Sequence, residues 1–218
     1  ADAKVAAALA PYSARAAAVR NAPLGVVARG KINRAYRTES PLGLLLADLL
    51  REGSEKATGK KVDVAFQNGG GIRAALPAGA LTYGDVYEVL PFDNTLVLAE
   101  VPVAGLIELF KRNLRSGAGI LLPSDGLWVE ARCEGDDLQV TLKGPGGAVL
   151  PPDRKLTVAL SDFLAAGGDN FAALMGGVPP TAVRSYEELP PLRDLVVEAL
   201  KKQKELVAPK GAAPRLLL

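Results

Sequence analysis

"KVDVAFQNGGGIRA", residues 61–74, contains an apolar run, Val64-Ala65-Phe66, followed within three residues by three consecutive glycines. A short apolar run closed by a turn signal reads as a strand buried in a sheet. Working outward, the neighbouring segments set the architecture around it. Upstream, "ESPLGLLLADLLREGSEKATG" (39–59) predicts a helix. Ser40 is a natural N-cap, Pro41 suits the first helical position, and Gly53 follows the last apolar turn as its stop. Downstream, "LTYGDVYEVLP" (81–91) has Thr82 and Asp85 in capping-box spacing, so it predicts a short helix ended before Pro91.

The alternation continues along the chain. "LGVVARG" (24–30), "NTLVLAEVPV" (94–103) and "KLTVALSDF" (155–163) read as strands, the last with Phe163 at its end. "AGLIELFKRNLRS" (104–116) and "PLRDLVVEALKKQK" (191–204) read as helices with apolar faces. "DGLWVEARCE" and "DLQVTLKG" predict a hairpin across Gly135-Asp136, and the tail "APRLLL" an edge strand. Helices alternating with strands, with hairpins interspersed, predict an α/β (mixed α+β) fold: mixed sheets with helices packed outside. No internal repeat or second-domain boundary is evident.

Composition narrows the chemistry. The 218 residues are 49% hydrophobic, enough for one sizeable core, and carry a net charge of only +2. No basic run exceeds two lysines, which argues against a nucleic-acid partner. There is no histidine and one cysteine, Cys133, expected to be a half-buried strand thiol. These counts exclude an internal disulfide, a Ser-His-Asp triad and a histidine or cysteine metal centre within these residues. The longest apolar run, "LGLLLADLL", is short and broken by Asp48, so neither a membrane span nor a signal peptide is expected among these residues. The Ala-rich opening, residues 1–20, lacks an initiator Met and reads as a helix from within a longer protein. Scarce Asn, Gln, Met and Cys suggest a thermophilic source, although an Ala-, Leu- and Arg-rich genome gives the same composition.

Three loops remain as candidates for chemistry. After the buried strand, Gly69, Gly70 and Gly71 let a ligand approach bare backbone N–H groups, or simply make a tight turn. The spacing is not G-x-G-x-x-G, and "GSEKATGKK" (53–61) is not a P-loop, since five residues separate its glycines and Lys61 replaces Ser or Thr. Asn68 and Arg73 flank the turn with an amide and a guanidinium suited to a polar or anionic group. In "LPFDNT" (90–95) Phe92 is either a core ring or an exposed stacking surface, and by itself the core is favoured. In "SDFLAAGGDNF" (161–171) the glycines permit a turn that aims Asp169 back across Phe163. That carboxylate serves either nearby backbone amides or the paired hydroxyls of a ribose. Two loop aromatics, arginines, an amide and a carboxylate together form a set that suits a nucleoside or nucleotide.

"NGGGIRAAL", "GDVYEVLPFDNT" and "SDFLAAGGDNF", in this order, closely resemble the C-terminal domain of the 5′-nucleotidase / UDP-sugar hydrolase family. The resemblance implies that Phe92 and Phe163 sandwich the nucleobase and Asp169 holds the ribose hydroxyls. It also implies that Asn68 and Arg73, with Gly70 and Gly71 between them, meet the nucleoside and its phosphate side. Arg37 of "RTES" is a further arginine, with Arg34 competing, because Pro41 and Leu44 stand where the family usually has asparagines. Asn170 replaces a usual Gly, and Asn tolerates the left-handed region best among residues with a side chain. Residues 1–20 would be the interdomain linker helix and 21–218 the nucleotide-binding domain. A linked N-terminal metallophosphoesterase domain would supply two divalent metal ions and the catalysis, leaving these residues without cofactor or activity of their own. A secreted, periplasmic or cell-surface location is implied. The alternatives are the same domain of a 2′,3′-cyclic-nucleotide phosphodiesterase/3′-nucleotidase or a UDP-sugar hydrolase, and a stand-alone nucleoside-binding module.

Overall fold

Phe66 and its neighbours are buried because the strand they form is covered on both faces. In the computed structural model, which describes residues 2–117, 119–207 and 215–217, an exposed helix α1 (Ala3–Arg20) leads into β1 (Pro23–Ala28) and α2 (Pro41–Thr58). Then come β2 (Val64–Asn68), β3 (Gly79–Thr82), α3 (Tyr83–Val89), β4 (Leu96–Pro102), α4 (Val103–Ser116) and β5 (Leu121–Pro123). The hairpin is β6 (Trp128–Glu134) and β7 (Asp137–Lys143), followed by β8 (Lys155–Ser161), α5 (Asp162–Ala165) and α6 (Phe171–Met175). The chain continues through β9 (Val183–Tyr186), α7 (Leu192–Leu200), β10 (Glu205–Leu206) and β11 (Leu216–Leu217).

The central sheet has five strands in the order β5-β2-β8-β4-β9, with β2 parallel to β8 and the other pairs antiparallel. Two further sheets have three strands each, β10-β1-β3 and β11-β6-β7. Each also mixes one parallel and one antiparallel pair. The mixed α/β architecture is therefore the expected one, with α2 against β2 and α4 against β4 and β7. The edge strand at the tail forms through Leu216–Leu217 on β6, pinned where Arg215 grips the Asp48 carboxylate with two nitrogens at 2.8 and 2.7 Å. The remainder of "APRLLL" lies outside the described residues.

Two helix starts follow their caps. Ser40 Oγ accepts from the Gly43 amide at 3.2 Å, and Thr82 and Asp85 form the complete reciprocal box. Three expectations need correction. Gly53 does not stop α2; the helix runs on to Thr58 and ends at Gly59, whose φ of 66° is left-handed. A Cβ on Gly53 would lie 2.5 Å from the Leu195 carbonyl oxygen, so this glycine lets α7 approach α2 closely. Phe163 does not end a strand; β8 stops at Ser161, whose hydroxyl caps α5 by accepting from the Leu164 amide at 3.2 Å. Cys133 is exposed near the hairpin tip rather than half-buried.

Candidate functional site

The C-terminal end of β2 positions the first wall of the site. Asn68 is buried, and the chain then turns through Gly69–Gly71 in a single 3₁₀ turn. A Cβ on Gly69 would meet the Tyr36 carbonyl oxygen at 2.7 Å, and one on Gly71 would meet Asn68 Oδ1 at 2.6 Å. Side chains are excluded there because backbone and amide occupy the space. Beyond the turn, Arg34 Nη1 donates to the Ile72 carbonyl at 2.8 Å and Arg73 Nη1 to the Gly70 carbonyl at 3.0 Å.

The second wall is the loop between α3 and β4, and the third is the segment after β8. Asn94 Nδ2 donates to Asp162 Oδ1 at 2.5 Å, and the Asp162 amide donates to the Thr95 carbonyl at 3.1 Å. These bonds tie the element carrying Phe92 to the one carrying Phe163. Both rings are 50% exposed, so neither belongs to the core that the single-residue argument favoured for Phe92. The chain after α5 then takes left-handed backbone at Gly167, Asp169 (φ 49°) and Asn170 (φ 73°). Asn170 thus adopts the conformation usually given to glycine, and its Nδ2 donates to Ser116 Oγ at 2.9 Å. This turn brings the Asp169 carboxylate to Asn68, whose Nδ2 donates to Oδ2 at 2.6 Å.

A cavity of about 410 Å³ opens between these walls, within the range of small-molecule sites. Asn68, Gly70, Gly71, Phe92, Phe163 and Asp169 all line it. Arg73 is not in the lining, but its guanidinium carbon is 6.0 Å from the Phe92 ring centroid. Arg37 is exposed and does not line the cavity. The Phe163 ring lies so close to Gly168 that a Cβ there would be 2.4 Å from it. Gly168→Ala is therefore expected to move this ring, seen as displaced Phe163 resonances in an aromatic NMR spectrum with the core resonances unchanged.

Arg193, on the first turn of α7, also lines the cavity, and the sequence reading does not single it out. Its signal is its register: it stands four and seven residues before buried Val197 and Leu200. Burial opposes its charge, yet its bonds to Tyr83 and Asp93 outweigh that penalty and raise its pKa, so the guanidinium stays ionised. Burial likewise pushes the Tyr83 phenol up.

The site sits in a chain with clear relatives. The family described as 5′-nucleotidase, C-terminal domain, matches residues 16–176. The trifunctional nucleotide phosphoesterase protein YfkN of Bacillus subtilis is 28% identical over 205 residues, covering 88% of this chain and 14% of that protein. The cell wall protein Lmo0130 of Listeria monocytogenes is 33% identical over 156 residues, covering 66% of this chain and 20% of that protein. The crystal structure of a 5′-nucleotidase precursor from Thermus thermophilus superposes with a TM-score of 0.75 at 28% identity. That match covers 96% of this chain and 42% of the other. The chain thus spans less than half the length of these proteins. With the motif order, the mixed sheets and the family match in agreement, this chain belongs to the 5′-nucleotidase family as a C-terminal domain.

Proposed function

We propose that the cavity receives the base and ribose of a nucleoside 5′-phosphate, making this chain the substrate-selecting half of a 5′-nucleotidase. The observation that carries this reading is that the two half-exposed phenyl rings and the half-buried Asp169 border one cavity. A flat apolar base between the rings removes ring surface from water and stacks on π-faces. Asp169 Oδ2 is taken by Asn68, while Oδ1 has no hydrogen-bond partner among the described residues and offers an acceptor to a sugar hydroxyl. Arg73, beside Phe92, supplies positive charge toward the phosphate side.

Hydrolysis in this reading belongs to a linked N-terminal metallophosphoesterase domain. The sequence has no histidine, and among the described residues no three His, Cys, Asp or Glu side chains cluster where they would hold a metal ion. Among the described residues, then, no set of side chains fits a two-metal centre. A secreted, periplasmic or cell-surface location is part of the proposal, supported by the cell-wall designation of the Listeria relative. Among the described residues no helix is long and apolar enough to cross a membrane.

Calorimetric titration with adenosine and 2′,3′-dideoxyadenosine tests the reading. Hydrogen bonds to a charged group contribute about 1.5–3 kcal/mol, so the wild-type chain is expected to favour adenosine at least about tenfold. Asp169→Ala is expected to abolish that preference. Equal affinity of the wild-type chain for both nucleosides, or appreciable metal-dependent phosphatase activity of the chain by itself, would overturn the reading.

A further inference from the structure

We propose that Arg193 is a positioning residue for Phe92, holding the loop so that the ring faces the cavity. The inference rests on the reading of that cavity as a base site and adds how one wall of it is set. Arg193 is only 5% exposed, a costly place for a charge unless its hydrogen bonds are satisfied. Nε donates to the Tyr83 hydroxyl at 3.1 Å, and that hydroxyl donates onward to Asp194 at 2.8 Å. Nη1 donates to the carbonyl oxygens of Leu90 at 3.0 Å and Phe92 at 3.4 Å, and Nη2 to Asp93 Oδ1 at 2.6 Å. Its guanidinium carbon lies 4.4 Å from the Tyr87 ring centroid.

These bonds grip the backbone two residues before Phe92, at Phe92 itself and at the next side chain. The Leu192 amide adds a fourth hold, donating to the Asn94 carbonyl at 2.8 Å. The Phe92 loop is thereby lashed to the first turn of α7, a helix packed on α2. A planar fork with five donors can serve Tyr83, two carbonyls and a carboxylate together, whereas a lysine ammonium presents a single nitrogen. The Asp93 side chain is 73% exposed, so its half of the ion pair can be altered without opening the core.

The test labels the chain with 4-fluorophenylalanine and follows its fluorine spectrum, with the Phe92 signal assigned by its loss in Phe92→Ala. In Arg193→Met, Arg193→Lys and Asp93→Asn the Phe92 signal is expected to move and broaden while the Phe163 signal stays. Adenosine binding should weaken by about tenfold in Arg193→Met, with Arg193→Lys in between. If the methionine variant fails to fold, the exposed Asp93→Asn and the charge-conserving lysine carry the measurement. An unmoved Phe92 signal in those two variants overturns the inference, as does a parallel shift of all five fluorine signals, the mark of a merely structural arginine. A Phe92 signal that moves while adenosine binding holds supports the role of Arg193 and overturns the base-site reading instead.

Discussion

Phe163→Ala is expected to weaken adenosine binding by tenfold or more, and Phe92→Ala to do the same, because each base–aromatic stack contributes ~1–3 kcal/mol by alanine substitution. Both rings are half exposed, so truncation removes little buried surface and leaves no closed void. Each replacement should cost about 1 kcal/mol or less in stability, roughly half the value for fully burying such a side chain. Loss of affinity with a nearly unchanged urea midpoint is therefore the expected pair of results. Unchanged adenosine affinity in both variants would show that the rings serve the surface and not a ligand.

Phe66→Ala is expected to have the opposite profile, destabilising the chain by about 3–5 kcal/mol, a large part of the 5–15 kcal/mol typical of a domain. Phe66 is 1% exposed, and its ring meets Phe110 edge-on at 5.8 Å between centroids and Phe171 at 6.2 Å. Those contacts join β2 to α4 and α6, so no single element can relax to fill the gap. Urea unfolding read by circular dichroism measures the change. A loss below about 1 kcal/mol at an unchanged slope would contradict this packing account. Phe66 also lines the inner side of the cavity, two residues before Asn68. Its loss should therefore weaken adenosine binding too, but only together with stability.

Local chemistry made much of the fold legible. Ser40 and Pro41 start α2, Thr82 and Asp85 start α3, and the apolar run before three glycines is β2. All three act within a few residues along the chain. Two misses, at Gly53 and Arg193, came where a distant partner overrode a local rule. Gly53 looks like a helix stop, but the Leu195 carbonyl, far along the chain, is the reason for a glycine there. The strand reading through Phe163 failed for a local reason, because Ser161 both ends β8 and caps α5. Arg193 looks like a solvated helix residue until the loop at 90–94 is folded over it.

For the candidate site the division is similar. The sequence by itself determined the family and six residues that line the cavity, because family resemblance is carried by short motifs whose residues are contiguous. Residue type left Phe92 open between core and exposed surface, since identical side chains differ only in what packs on them, and tertiary structure decided that both Phe92 and Phe163 face outward. It also decided that Asp169 meets Asn68 across 101 residues and that Arg193 meets Asp93 across 100. Sequence rules reach one helical turn or one strand pair. Hydrogen bonds between walls of a cavity depend on how the sheets and helices close, which no local spacing encodes.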